Sequence, residues 1–379
     1  MVHGTDRILF LVEQKRRTLG VVGLGTVAEP HIEAYLQLDC VEITGVAEPC
    51  AQRRDEVSGR YGFPSFESCA QLLAAAKPDI VCVLTPASTH REIVEESARA
   101  GAHVLCEKPM AHSLEDAVAM ERSCRQHAVR FCYGSSYRHL PALLEARRLI
   151  AEGAIGSVRL LVEEVITGEG ESSFQPLSAT HYPIGGPGGG GYGLVDHGIH
   201  MLDILPWLCD CSIATVFGRG DRTGTAARPE FALLGLTSGA LGVLLYDEST
   251  WPLELPAEGL FSEARQWIDR RGWVGPRGLW DSHPGNIRVY GSKGSLRIYH
   301  YANRLFLSRD GGVRDCELPR GATPAHFGAQ MHHFCQELDE DADPSCGTGT
   351  GIRTLTALIA IYDSEKCGTW QAVSWPPHG

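Results

Sequence analysis

The stretch Leu19-Gly20-Val21-Val22-Gly23-Leu24-Gly25-Thr26-Val27-Ala28 decides the architecture. A short apolar, β-branched run meets a glycine turn and then an amphipathic segment, Ala28–Leu38, so it reads as strand, tight turn and helix. In that context Gly23 permits the turn, Gly25 lets a pyrophosphate approach the backbone, and Ala28 allows the helix to pack closely on the strand. The first helical turn, at Thr26 and Val27, offers free N–H groups to an anion. The next strand ends Val46-Ala47-Glu48-Pro49, which places Glu48 23 residues beyond Gly25, near the spacing of about 20 for an acidic ribose ligand. A carboxylate there accepts from a ribose 2′-OH and repels a 2′-phosphate, so NAD is the expected cofactor. Arg53 and Arg54 keep NADP open as the alternative, since either could stack on adenine or meet a phosphate.

Working outward, short strands alternate with helices from Thr18 to about Ser136. Strands are expected at Leu19–Val22, Glu42–Val46, Ile80–Leu84, His103–Cys106 and Arg130–Gly134, with helices at Ala51–Tyr61, Cys69–Ala75, Arg91–Ala100 and Leu114–His127. This is the doubly wound α/β pattern of a Rossmann domain. After a helix at Leu140–Glu152 the rhythm turns to longer strands at Val158–Thr167, Ile213–Gly218, Glu230–Thr237, Ala240–Tyr246, Asn286–Tyr290 and Ser295–Tyr301. Ala240–Tyr246 and Ser295–Tyr301 read as antiparallel neighbours of their predecessors. Helices at Ala325–Glu340 and Thr350–Cys367 and a strand at Gln371–Ser374 complete an α+β domain, whose large, mostly antiparallel open sheet carries helices on one face.

The chain thus divides into an N-terminal extension (1–17), a cofactor domain (18–138) and a substrate and oligomerisation domain (139–379). Within the last, residues 250–284 hold four of the seven tryptophans and read as an insertion, either with its own small core or contact surface or as an aromatic lid over a sugar face. The 43 glycines are an excess over ordinary usage. Seven of them crowd positions 185–193, a segment free to fold over a ligand or to serve as a plain linker.

A net charge of −12 without long runs of one sign argues against a nucleic-acid surface or an anionic-membrane anchor and leaves small neutral substrates open. No apolar run is long enough to span a membrane. The 13 cysteines lack paired CxxC spacing and read as reduced thiols of a cytoplasmic protein. Cys209 and Cys211, the closest pair, read as small buried hydrophobes, and no metal is expected.

Three further motifs occur in order. Thr85-Pro86-Ala87-Ser88-Thr89-His90 follows one strand, Glu107-Lys108-Pro109 follows the next, and Gly189-Gly190-Gly191 leads into Asp196-His197-Gly198-Ile199-His200-Met201-Leu202-Asp203. Together with the glycine turn, this set resembles the Gfo/Idh/MocA oxidoreductase family over residues 18–375, the tryptophan-rich insertion apart. The resemblance implies an active site in the cleft between the two domains, with Lys108 beside the nicotinamide and the reacting carbinol. It implies that Asp196 and His200 form the family's DxxxH pair, that Thr85, Pro86, His90 and Glu107 lie by the cofactor, and that Tyr137 and Arg138 enter the cleft. Many relatives carry a Trp-Arg pair where this chain has Thr180-His181-Tyr182-Pro183, so His181 and Tyr182 become the candidate substrate ligands there.

The residue chemistry agrees. Asp196 and His200, four apart on a predicted helix, share a face where the carboxylate could orient the imidazole and stabilise its protonated form. Removing hydride from a secondary alcohol requires loss of the hydroxyl proton, which a neutral His200 could accept while cationic Lys108 stabilises the alkoxide. Asp203 is as readily a structural partner as a substrate ligand, and His197 has at most a supporting role. The expected activity is NAD-dependent oxidation of a secondary hydroxyl on a neutral sugar, glycoside or cyclitol, or the reverse, by a homodimer or homotetramer. The alternatives are a glycosidase that oxidises transiently, eliminates the aglycone and returns the hydride, and a non-catalytic nucleotide-binding relative.

Overall fold

Strand β1 (Arg17–Val22) has every residue but Thr18 buried, as a β-branched run without alternation requires of a strand covered on both faces. In the computed structural model, residues 15–166, 193–220, 229–247, 286–319 and 325–374 are described, with two short paired segments at 259–261 and 267–269. Residues 1–14 of the expected N-terminal extension, His181, Tyr182 and nearly all of the glycine-rich and tryptophan-rich stretches lie outside the described residues, while Arg17, assigned to that extension, already belongs to β1.

The first sheet adds β2 (Val41–Ala47), β3 (Ser65–Phe66), β4 (Ile80–Val83), β5 (His103–Glu107) and β6 (Phe131–Gly134), all parallel, in the order β3-β2-β1-β4-β5-β6. Helices α1 (Ala28–Tyr35), α2 (Ala51–Tyr61), α3 (Cys69–Ala76), α4 (Ala87–Arg99) and α5 (Leu114–Gln126) connect them. The order reverses between β1 and β4, which opens a crevice at the carboxyl ends of those two strands. The short β3 escaped sequence reading because two residues between turns carry no period. Helix α4 starts four residues earlier than expected, directly after Pro86, whose fixed φ suits a helix entry.

After α6 (Pro141–Ala151) comes a nine-stranded sheet built from β7 (Val158–Ile166), β8 (Ile213–Arg219), β9 (Glu230–Leu236), β10 (Leu241–Asp247), β13 (Asn286–Gly291), β14 (Ser295–Tyr299), β15 (Arg304–Arg309), β16 (Gly312–Asp315) and β17 (Gln371–Ala372). The order is β16-β15-β14-β13-β7-β10-β9-β8-β17, antiparallel throughout except for β7 beside β10. The two short segments β11 (Gly259–Phe261) and β12 (Trp267–Asp269) form a separate antiparallel pair. The β9–β10 and β13–β14 pairings are antiparallel as expected. The hairpin β15–β16 was not anticipated, although Asp310-Gly311 at its turn, both with positive φ, is a hairpin signal. It also ends β14 at Tyr299 rather than Tyr301, because the chain must turn back there.

Helix α7 (Ile199–Leu208), entered through a wide helical turn at Leu194–Gly198, packs against α6 and α9 (Thr348–Cys367), and its buried residues join the core of this sheet. The last two helices both contribute to cores of the first sheet, and α9 enters that of the second as well. From α8 (Ala325–Asp339), Met331, Phe334 and Cys335 join the core around β1 and α1. From α9, Ile352 and Leu355 enter the core around β4 and β5, while Ala357, Leu358 and Ile361 enter the core of the second sheet. Among the described residues no helix is long and apolar enough to cross a membrane.

Candidate active site

A cavity of about 940 Å³ lies at the β1/β4 reversal, lined by Gly23, Gly25, Thr26, Val27, Glu48, Thr85, Pro86, Glu107, Lys108 and Asp196. Gly23 has φ +92°, and a Cβ there would come within 2.9 Å of the Leu84 carbonyl oxygen, so the turn admits only glycine. A Cβ on Gly25 would meet nothing within 4 Å, which leaves its backbone open beside the start of α1. Glu48 accepts from the Leu24 and Cys50 N–H groups at 2.9 and 3.0 Å, which fixes the carboxylate at the end of β2. Size, open glycine backbone, helix start and fixed carboxylate together fit a dinucleotide.

Two predicted cofactor residues act from behind this wall. Arg53 donates to the Leu24 carbonyl at 2.5 Å and pairs with Glu29 at 2.7 Å, so it braces the turn instead of lining the cavity. His90 is buried, with its ring nitrogens 2.7 Å from the Thr85 carbonyl and 3.1 Å from that of Met110, and so ties the Thr85 loop to the segment after Pro109. Glu107 accepts from the Lys108 N–H at 2.9 Å and meets His31 Nε2 at 3.1 Å, and His31 Nδ1 lies 2.7 Å from the Tyr35 hydroxyl. Burial works against the Glu107 charge, but the His31 contact and Lys108 outweigh it and hold the carboxyl below its usual range. His31 was not anticipated; it lies three residues beyond Ala28, on the helix that the glycine turn begins.

At the far end of the cavity an ion pair joins the cofactor half to the second half. Lys108 Nζ donates to Asp196 Oδ1 at 2.7 Å and to the Asp196 carbonyl at 3.0 Å. The carboxylate expected to orient His200 is thus engaged by Lys108. What holds the His200 ring is Tyr137, stacked on it at 3.9 Å with 4° between the planes. Nor do the surroundings favour the imidazolium: burial, with the charges of Lys108 and His197 added, holds His200 well below the usual histidine value. Its surroundings thus favour the neutral imidazole.

Arg138 departs from the sequence expectation. Its guanidinium grips Asp203 with two hydrogen bonds, Nε to Oδ2 at 2.8 Å and Nη2 to Oδ1. Ser135 donates to the same carboxylate, and Arg138 faces a separate cavity of about 410 Å³ beside Trp207. A buried carboxylate on α7 needs a cation, and Arg138 supplies one.

Beyond Tyr137 and Asp196 lies a polar group that local patterns did not reveal. His197 Nε2 is 3.1 Å from Glu163 Oε1, Tyr246 donates to Glu163 Oε2 at 2.6 Å, and the Tyr301 hydroxyl lies 3.2 Å from His197 Nδ1. The Tyr137 and Tyr301 hydroxyls are hydrogen-bonded in turn. Burial opposes a charge on His197, yet Glu163 outweighs it and raises the histidine above its usual value. Tyr246 can lie this close because the wide turn presents glycines to it: a Cβ on Gly193 would sit 2.1 Å, and one on Gly198 2.9 Å, from that side chain. The one available signal was Glu163 itself, an acid at an inward position of the apolar run Val158–Ile166.

Comparison with known proteins agrees with this geometry. The model of the oxidoreductase family with NAD-binding Rossmann fold (GFO_IDH_MocA) matches residues 17–135, and that of the GFO/IDH/MocA C-terminal domain matches residues 143–297. D-Apiose dehydrogenase of Paraburkholderia graminis is 31% identical over 365 residues, 93% of this chain and 89% of that protein. The 2,7-anhydro-N-acetylneuraminate hydratase of Escherichia coli is 32% identical over 354 residues, 93% of this chain and 82% of that one. The crystal structure of aldose-aldose oxidoreductase from Caulobacter crescentus, complexed with glycerol, superposes with a TM-score of 0.76 at 22% identity, over 94% of this chain and all of that one, a likeness of fold. With both halves of the family matched in order along one chain, the protein belongs to the Gfo/Idh/MocA oxidoreductases and binds NAD.

Proposed function

We propose that the protein oxidises a secondary hydroxyl of a neutral sugar, glycoside or cyclitol, or reduces the matching ketone. The observation that carries this reading is the Lys108–Asp196 contact at the end of the cofactor cavity, an ammonium group placed where one domain meets the other. NAD, when bound, supplies the hydride acceptor. The backbone at Gly23, Gly25, Thr26 and Val27 would hold its diphosphate, Glu48 its adenosine ribose, and Thr85 and Pro86 its nicotinamide end. Lys108 donates to the oxygen of the reacting carbon and stabilises the negative charge that develops there, while Asp196 keeps the ammonium in place. His200, neutral and held flat by Tyr137, has a lone pair with which to accept the hydroxyl proton. His181 and Tyr182 are proposed as further substrate ligands.

The test is an assay for NADH with inositols, aldoses and glycosides, together with the reverse assay on keto sugars. Turnover on at least one member is expected, and silence in both directions would sink the reading. A second reading is favoured by the full-length relative named as a hydratase, since hydration involves no net oxidation. On that reading, product appears from an anhydro sugar or glycoside with no accumulation of NADH. In either case we expect a cytoplasmic homodimer or homotetramer, supported by the partly exposed Phe217, Phe231, Leu233 and Val243 on the outer face of the second sheet. A monomer by light scattering would refute the assembly.

A further inference from the structure

We infer that Glu163, His197 and His300 form a binding site for a divalent transition metal of the zinc class. One ligand atom from each lies within 4.8 Å of the others. They come from three separate elements, β7, the wide turn before α7, and the turn after β14, so their convergence is a product of the fold rather than of local sequence.

The spacing suits an ion. Two ligand atoms each about 2.1 Å from a zinc ion, at a right or tetrahedral angle, lie roughly 3.0–3.4 Å apart. The 3.1 Å between His197 Nε2 and Glu163 Oε1 falls in that interval. The His300 ligand atom lies within 4.8 Å of the other two, so bringing it to roughly 3.4 Å asks for a closure of up to about 1.4 Å. Two imidazoles and a carboxylate are a donor set that zinc, iron(II) and cobalt(II) accept and that magnesium and calcium do not prefer.

The supporting partners are also in place. A ligating histidine ordinarily engages its other nitrogen with a hydrogen-bond partner, and a ligating carboxylate is itself hydrogen-bonded. The Tyr301 hydroxyl faces His197 Nδ1, and the Tyr246 hydroxyl donates to the second oxygen of Glu163. Charge points the same way. Glu163 is fully buried and His300 nearly so, and a dication compensates a buried carboxylate more strongly than one imidazolium does. His197 keeps 18% of its side chain exposed, which leaves a path of entry. Three protein ligands are the complement of an open site, in which water or a ligand hydroxyl completes the shell. The ion would sit one residue from Asp196, so a polyol oxygen in the cleft is the natural further donor.

The full-length protein, stripped with chelator and dialysed, should take up about one equivalent of zinc or cobalt(II) per chain. The cobalt(II) form should show visible absorption without the charge-transfer band of a thiolate ligand. His300→Gln and Glu163→Gln should abolish this uptake, whereas Cys209→Ser/Cys211→Ser should not. Tyr246→Phe, which removes only a hydrogen bond to a ligand, should weaken cobalt(II) binding about 10–100-fold. NAD binding, followed by fluorescence, confirms that each variant is folded. Absence of uptake by the wild-type protein, uptake lost only with the cysteines, or a thiolate band would overturn the proposal and leave Glu163–His197 as a buried ion pair only. None of these readouts depends on turnover, so their failure is distinct from failure of the proposed oxidation.

Discussion

Lys108 is the residue on which the proposed chemistry turns, because its ammonium is aimed at Asp196 on the other side of the cleft. Replacing it with methionine keeps the length and removes the donor. We expect a fall in kcat of about 10²–10³-fold, the usual cost of losing one preorganised donor to a developing oxyanion, with NAD affinity retained by fluorescence titration. Glu48 is expected to govern the choice of cofactor. In Glu48→Gln the repulsion of a 2′-phosphate disappears, so the ratio of kcat/KM for NAD over NADP should fall, and an unchanged ratio would remove Glu48 from that role. Lys108, Glu48 and the glycines were legible because each sits at a fixed offset from a strand end. The pairing of Arg138 with Asp203 was not legible because the two lie 65 residues apart.

At the level of elements, the join between β1 and α1 and the β5 terminus shape the cavity. Gly23→Ala would force a Cβ against Leu84 at positive φ, a strain of about 1–3 kcal/mol, read as a lower urea midpoint together with weakened NAD binding. Glu107 ends β5 and is buried against His31. Its folded pKa lies below the ordinary glutamate value of 4.5, so the native state favours the carboxylate more than the unfolded state does. The resulting stabilisation is complete above that value and is lost as pH falls through the lower folded one. Urea midpoints of the wild type should therefore drop steeply below about pH 4.5, and Glu107→Gln should flatten that acid limb. An unchanged acid limb would show that Glu107 does not drive it. Most strands and helices were legible to within two residues because apolar periodicity and glycine turns are local; β16 was missed because its four residues are all exposed, and without it β15 had no hairpin partner.

Across the whole molecule, α9 joins the two sheets by entering a core of each, while α8 packs on the first. Phe334 belongs to the core around β1, Leu355 to that around β4 and β5, and Leu358 to the core of the second sheet. The cofactor and substrate halves should therefore unfold together. Calorimetry is expected to show one transition, and Leu355→Ala, costing about 2–5 kcal/mol, should shift it without splitting it. Two separable transitions would contradict this coupling. The lysine on one half and the aspartate on the other are held at 2.7 Å by the same shared helix, which ties the geometry of the cleft to the stability of the whole.

The amino-acid sequence by itself determined the parallel cofactor domain, its glycine turn, the acidic end of β2 and the order of the motifs, because these depend on periodicity and short fixed spacings. Tertiary structure alone decided that Asp196 meets Lys108, that His200 rests on Tyr137, that Arg138 is claimed by Asp203, and that Glu163, His197 and His300 converge. Each of those contacts joins segments tens of residues apart or more. Which side chains meet there follows from sheet order and helix packing, and a one-dimensional pattern carries no record of either.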